Sequence, residues 1–207
     1  VLSCLAGPSL SLCAAATAQA ADPYFLSAGN SVANVDQRDL EDIAMRLVKR
    51  PDVSAACERA GVTWRRVTDK TMPAEQMARF PAHLADWCFR AALMAAASDA
   101  NYPRVLRVYS PAGRWFGRDR PESKWGGDNP DNDDRISPLA NGASYVISGR
   151  RHSTPSTYVT FQLVGNTTTS KTLGSLEQRD MAIGADSRYT LTLDAAPTAG
   201  RRNHMQT

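Results

Sequence analysis

One segment of the chain, residues 113–134, concentrates the residue types that could bind a ligand. It contains two of the four tryptophans, together with closely spaced carboxylates and amides around a Gly126-Gly127 pair. Connections this long without regular secondary structure are often functional. The candidate ligand-binding residues predicted from it are Trp115, Arg118, Asp119, Trp125, Asp128, Asn129, Asp131 and Asn132.

Three interpretations of this segment compete. A purely structural loop is favoured, because glycine, Asp and Asn are the usual turn formers. Calcium is a weaker alternative, since Asp128, Asp131 and Asp133 could supply oxygen ligands, but the spacing of an EF-hand is absent. In the third interpretation Trp115 or Trp125 offers an apolar surface to a sugar, whose hydroxyls contact Asp or Asn, although a buried tryptophan is the commoner case.

Other sites are poorly supported by the sequence. The three histidines, His83, His152 and His204, have no metal-ligand spacing. There is no GxSxG nucleophile motif and no glycine-rich phosphate loop. Apart from the calcium alternative we therefore expect no metal, and we expect no cofactor. An enzyme acting on a carbohydrate or another polar substrate stays an alternative, with carboxylates such as Asp119 and Asp128 as acid and base.

The charge balance bears on partners. The net charge of +3 arises from 24 basic and 21 acidic residues, without a basic stripe of the kind that binds nucleic acid. A glycan or a small polar ligand is the expected partner, and the sequence does not indicate an oligomeric state.

The first twenty residues resemble the end of a secretory signal peptide. They carry no charged side chain and end in Ala18-Gln19-Ala20, a small-x-small cleavage signal. A transmembrane segment would need about 20 continuous apolar residues, and Gly7 and Pro8 interrupt this stretch. We therefore expect an exported protein, periplasmic or secreted. Outside this segment Cys57 and Cys88 could form one disulfide in an oxidising compartment, or be two buried apolar residues.

The side-chain periodicity changes near residue 100. Residues 21–100 have helical spacing and are expected to form a helical region. It would contain a helix over 37–50 capped by Asp36, a short second helix ended by Gly61, and a helix over 82–98.

Residues 101–207 alternate apolar and polar positions and are expected to form an antiparallel β-sandwich domain, within an α+β fold. Strands are predicted over 105–109, around Tyr145 and Ile147, and over 157–164, where Val159, Phe161 and Leu163 share a face. A β-hairpin is predicted around 184–187, and no closing strand is expected after Pro197.

Several motifs resemble the bacterial domain-of-unknown-function family twelve-fourteen. They are the Gly126-Gly127-Asp128-Asn129-Pro130-Asp131-Asn132 run, the Tyr158–Gln162 and Gly174–Glu177 segments, and Gly200–Gln206. The resemblance implies a jelly-roll-like sandwich in an exported protein and brings no catalytic residues. Two departures are Asp134, where an aromatic residue is usual, and Thr207, where family members continue into further strands. The sandwich is therefore expected to be incomplete.

Overall fold

The structure is a computed structural model, and its secondary structure combines helices and strands. The residues that it describes are 34–68, 71–110, 112–115, 118–124, 129, 132–151, 158–165 and 171–207, without the side chains of 113–115 and 118. Within these ranges lie three α-helices and nine short strands. This confirms the α+β class. The predicted signal peptide lies outside the described residues.

The first helix, α1, spans Val35–Leu47 and starts earlier than predicted. Its N-cap is Asn34, whose backbone is extended and whose side chain accepts a hydrogen bond from the Gln37 N–H at 2.8 Å. The predicted cap, Asp36, lies instead in the first turn, where its negative charge interacts favourably with the helix dipole.

The next two helices are both longer than predicted. The second, α2, spans Pro51–Thr68 and passes through Gly61, which was expected to end it. The residue is buried against α3, and a Cβ atom there would lie 2.6 Å from Leu84 Cδ2, so glycine serves close packing and not termination. The third helix, α3, spans Ala74–Ala96 and contains Pro81 in its interior. The predicted start at 82 was wrong because the helix already begins after Pro73.

Contacts between α2 and α3 are covalent and aromatic. Cys57 and Cys88 form a disulfide, with their Cα atoms 6.0 Å apart. About two turns along, the Trp64 ring stacks on Phe80 at 4.5 Å, and Trp87 meets Trp64 edge-on at 5.8 Å. Of the two alternatives left open for the cysteines, the structure contains the disulfide.

The helices and the segment Val105–Ile136 form one compact unit, here called unit 1. Its apolar core includes Leu40 and Ala44 of α1, Phe89 and Leu93 of α3, and Leu106. Two antiparallel strand pairs belong to it: β1 (Leu106–Arg107) with β4 (Arg135–Ile136), and β2 (Gly113–Trp115) with β3 (Arg118–Arg120). The described residues of 105–136 thus belong to the same unit as the helices, although their alternation is strand-like.

Unit 2 consists of Ser98–Arg104 and Ser137–Thr207. Its core contains Leu163, Leu191, Leu193 and Met205. In line with the predicted alternation, Leu163 is buried and Phe161, on the same face, packs against this core. The strands are β5 (Tyr145–Arg150), β6 (Thr160–Val164), β7 (Thr172–Glu177), β8 (Arg188–Asp194) and β9 (His204–Gln206).

Strand pairing in unit 2 corrects two predictions. The 184–187 turn does not join a hairpin, because a 3₁₀ turn (Gln178–Asp180) precedes it and β8 pairs antiparallel with β5. Residues after Pro197 do form a strand, since β9 pairs with β8 in parallel. The second sheet is β6 with β7, antiparallel. Four of the five strand pairs within the described ranges are therefore antiparallel.

None of the helices described by the structure has the length and apolar character needed to cross a membrane.

We expect the disulfide to contribute substantially to stability. In the chain-entropy account, a link across a sequence separation of 31 residues raises the free energy of unfolding by about 3–4 kcal/mol. Replacing Cys57 and Cys88 together by serine should therefore lower the urea midpoint, measured by tryptophan fluorescence. An unchanged midpoint in the Cys57/Cys88 variant would contradict the expectation.

Candidate functional site

The predicted site residues are only partly described. The backbones of Trp115 and Arg118 pair at the tip of the β2–β3 hairpin, and Asp119 pairs with Arg114 and has an exposed side chain. Asn129 and Asn132 are exposed, and the Asn132 N–H donates to the Asn129 carbonyl at 3.1 Å. Trp125, Asp128 and Asp131 lie outside the described residues.

The last residue of the hairpin is buried in a charge pair. Arg120 Nε lies 3.6 Å from Glu41 Oε1 of α1, and the two side chains are 5% and 1% exposed. The Arg120 guanidinium also donates to the Pro121 carbonyl at 3.2 Å. Removing two charges from water is costly unless they are paired and hydrogen-bonded, so this contact restricts where the base of the hairpin can lie.

A buried glutamine extends the same cluster to the first strand. Gln37 Nε2 donates to Glu41 Oε1 at 2.9 Å and to the Arg107 carbonyl at 3.3 Å. Its Oε1 accepts from the Arg107 N–H at 2.9 Å. The carboxamide therefore pairs with the backbone of β1 as a neighbouring strand would, which satisfies polar groups that have left water. We call Gln37, Glu41 and Arg120 the root cluster.

The segment that follows the hairpin is attached at two further points. Ser110 and Ser123 form an antiparallel bridge, with N–H to carbonyl distances of 3.0 and 2.9 Å. The buried Ser123 hydroxyl donates to the Val108 carbonyl. Asp133, near the end of the segment, pairs with Arg107 at 2.9 Å and Arg135 at 2.8 Å.

These arginine contacts bear on the calcium interpretation. One oxygen of Asp133 faces Arg107 and the other faces Arg135, so a calcium ion at this carboxylate would compete with both guanidinium groups. Across the parts of the chain that the structure describes, no group of three or more His, Cys, Asp or Glu side chains is arranged to hold a metal ion.

A second polar cluster joins the segment to α3. Lys124 Nζ lies 2.8 Å from Glu122 Oε2 and 3.5 Å from Asp86 Oδ2, and His83 Nδ1 lies 4.0 Å from Asp86. Burial raises the pKa of the Asp86 carboxyl, with Lys124 opposing the shift. The hydrogen bond to Glu122 raises the pKa of Lys124. A half-buried carboxyl of this kind is a feature of many acid–base sites and also of structural ion pairs.

Sequence reasoning did not identify Gln37, Glu41 or Asp86. A signal was present for the first two: they are spaced like Leu40 and Ala44 on the apolar stripe of α1, so polar residues occur where core residues are expected. No comparable signal existed for Asp86, because its partner Lys124 lies in a distant loop.

The Gly200–Gln206 motif forms a separate polar cluster in unit 2. The Asn203 side chain accepts from the Ala182 N–H at 2.8 Å and donates to the Ala182 carbonyl at 2.7 Å. The ring of His204 is fully buried, with Nδ1 2.9 Å from the Thr192 hydroxyl and Nε2 3.1 Å from the Ala196 carbonyl. These contacts join β9 and its preceding loop to Thr192 of β8 and to the segments on either side of β8, so they support a structural role for the histidine.

A charge pair lies beside this histidine. Arg201 contacts both carboxylate oxygens of Asp194, at 2.9 and 3.2 Å. The hydrogen bonds from Arg201, followed by one from the Ala196 N–H, lower the pKa of Asp194 from 3.8 to about 2.

Comparisons with known proteins give one structural likeness. No family model matches the chain, and no curated protein matches it. The crystal structure of an uncharacterized protein from Burkholderia cenocepacia is similar, with a TM-score of 0.54 and 22% identity. The match covers 81% of this chain but 44% of that protein, so the present chain spans less than half of its length. At this identity the likeness concerns the fold alone.

Breaking the root cluster should destabilise unit 1 strongly. Arg120→Met removes the buried guanidinium that faces the Glu41 carboxylate, and breaking a buried charge pair lowers the free energy of unfolding by about 3–5 kcal/mol. Adding Glu41→Leu should recover much of that loss, because an apolar pair needs no charge compensation. Denaturant unfolding measures both effects. In the control, Arg79→Met breaks the exposed Arg79–Glu75 pair and should cost about 0.5 kcal/mol or less.

The double variant separates charge from packing. If Arg120→Met with Glu41→Leu is as unstable as Arg120→Met alone, the buried charge of Glu41 is not the cause of the loss.

Stability should also depend on Asp194 at acidic pH. A carboxyl whose pKa is lower in the folded state stabilises the protein above its unfolded value, here 3.8, and this contribution is lost as the pH falls towards 2. In Asp194→Asn this part of the pH dependence should disappear, and Arg201→Gln should diminish it. Urea unfolding across this pH window provides the measurement, and parallel curves for wild type and Asp194→Asn would refute the expectation.

Proposed function

We propose that this chain is an exported, non-catalytic binding or structural module of the cell envelope, which presents residues 113–134 to a glycan or another small polar ligand. The observation that carries the proposal is the buried Glu41–Arg120 pair at the base of the hairpin. Residues beyond this base, among them Asp119, Asn129 and Asn132, are exposed. Binding residues are often found on exposed loops that a rigid scaffold positions.

The ligand class is argued from the chemistry of the exposed side chains. Carboxylates and amides accept and donate hydrogen bonds to hydroxyl groups, and Trp115 and Trp125 are the aromatic residues of the same segment. A small polar ligand with several hydroxyls would use both kinds of contact.

Export is supported by two independent features. The first twenty residues have the composition of a signal peptide, and Cys57 is bonded to Cys88. Disulfides persist in oxidising compartments such as the periplasm and are rare in the cytosol.

For unit 2 we infer a jelly-roll-like sandwich. The antiparallel pairs β5–β8 and β6–β7 and the inward-facing Leu163, Leu191 and Leu193 support it. The resemblance to the domain-of-unknown-function family twelve-fourteen leads to the same expectation. The parallel β8–β9 pair is an unusual addition to an otherwise antiparallel arrangement.

One observation favours the enzymatic alternative. Asp86 is a half-buried carboxyl with a raised pKa, and it contacts Lys124, next to Trp125 in the sequence. A carboxyl that stays protonated at higher pH can serve as a general acid for a polar substrate. In this alternative Asp86, rather than the Asp119 and Asp128 suggested by the sequence, is the acid to test.

A glycan screen on the full chain tests the binding proposal. We expect retention of at least one glycan class, lost in Trp115→Ala or Trp125→Ala and weakened in Asp119→Asn, with thermal unfolding unchanged. Trp64→Phe is the matched control, because Trp64 packs between α2 and α3 and should leave retention intact. If no glycan or small polar molecule is retained, or if Trp64→Phe abolishes retention equally, the proposal fails.

The same screen separates the enzyme from the binding module. A retained glycan that stays chemically intact supports binding alone. A glycan that is cleaved by wild type but not by Asp86→Asn would establish the alternative.

A further inference from the structure

The chain contains a single Asn-Gly pair, Asn141-Gly142, and the structure places it in an exposed turn of unit 2. Gly142 has a φ of 73°, and a Cβ atom added there would meet nothing within 4 Å. The space on the Cβ side of Gly142 is therefore open, and the residue itself carries no side chain that could hinder its backbone nitrogen.

The turn is weakly held. Its closing hydrogen bond runs from the Ala143 N–H to the Ala140 carbonyl at 3.3 Å, beyond the usual range of about 2.7–3.2 Å. Exposed turns with few contacts open locally at low free-energy cost. Opening allows the Gly142 nitrogen to approach the side-chain amide carbon of Asn141.

We propose that Asn141 is a site of spontaneous deamidation. The Gly142 backbone nitrogen attacks Asn141 Cγ, the new N–C bond forms, and the side-chain nitrogen leaves as ammonia with the proton of the Gly142 amide. Water then opens the resulting five-membered imide at one of its two carbonyls. One product is aspartate and the other is isoaspartate, in which the main chain runs through the side-chain carbon. No oxidant or reductant takes part.

The modification has a structural consequence because the turn is hydrogen-bonded to the side chain of Tyr145. The Ala140 N–H donates to the Tyr145 hydroxyl at 2.7 Å, and that hydroxyl donates to the Ala100 carbonyl at 3.1 Å. Isoaspartate adds one methylene to the main chain between residues 141 and 142. The longer turn displaces Ala140 from the Tyr145 hydroxyl at the start of β5, so the isoaspartate form of unit 2 is less stable.

Asn203 provides an internal comparison. Both its side-chain oxygen and nitrogen are bonded to the backbone of Ala182, and the residue that follows is the buried His204. An amide held in this way cannot approach the following backbone nitrogen without breaking two hydrogen bonds. It keeps its amide under conditions in which Asn141 loses its own.

The test is incubation of the full chain at mildly alkaline pH, followed by peptide mapping with a fragmentation method that distinguishes aspartate from isoaspartate. The expected result is progressive loss of the Asn141 amide, with both products present, while Asn203 is unchanged. Gly142→Ala should slow the loss, because a methyl group hinders the attacking nitrogen. An Asn141 amide that persists as long as that of Asn203 would overturn the proposal.

A second measurement isolates the added methylene from the added charge. Asn141→Asp carries the charge but keeps the ordinary main chain, so it should unfold at nearly the wild-type urea concentration. The purified isoaspartate form should unfold at a lower concentration. Equal midpoints for the isoaspartate form and Asn141→Asp would overturn the structural consequence.

Discussion

The Glu41–Arg120 pair constrains unit 1 more tightly than its apolar contacts do. An apolar core tolerates small shifts, whereas two charges at 5% exposure or less each lose several kcal/mol of solvation unless the partner is in reach. The first strand adds to the same requirement, since Gln37 bonds to both Glu41 and the Arg107 backbone. The hairpin, the helix and the strand must therefore come together in one arrangement. We infer that the cluster specifies that arrangement rather than adding net stability.

In each unit, a side-chain carboxamide forms hydrogen bonds with both backbone groups of another residue. In unit 1 the Gln37 carboxamide bonds to the N–H and the carbonyl of Arg107, and in unit 2 the Asn203 carboxamide bonds to both groups of Ala182. In each case a side chain takes the place of a neighbouring strand. The backbone groups are satisfied in this way without a further strand, at β1 for Arg107 and in the loop before β8 for Ala182. For Asn203 the left-handed backbone, with φ of 48°, brings the side chain into place.

Features that depend on residues close together in the sequence were predicted. Features that depend on contacts between residues far apart in the sequence were missed. The stripe containing Leu40 and Ala44 and the alternation of Phe161 and Leu163 are local patterns, and both are confirmed. Gly61 was expected to end a helix because glycine often does, but contact with Leu84 of α3 overrides that preference. Strand partners follow the same rule. The turn before β8 suggested a local hairpin, while its actual partners, β5 and β9, bond to its two edges.

At the candidate site, too, local features were predicted and distant contacts were not. The alternation of side chains along β3 explains part of this difference. Successive side chains of a strand point to opposite faces, so the burial of Arg120 directs its neighbour Asp119 to solvent. The sequence identified Asp119 as a candidate because carboxylates bind polar ligands, but it could not show why that side chain is exposed. The buried arginine faces Glu41, a helix residue far away in the sequence. Exposure at the hairpin is therefore a consequence of a charge pair in the core of unit 1.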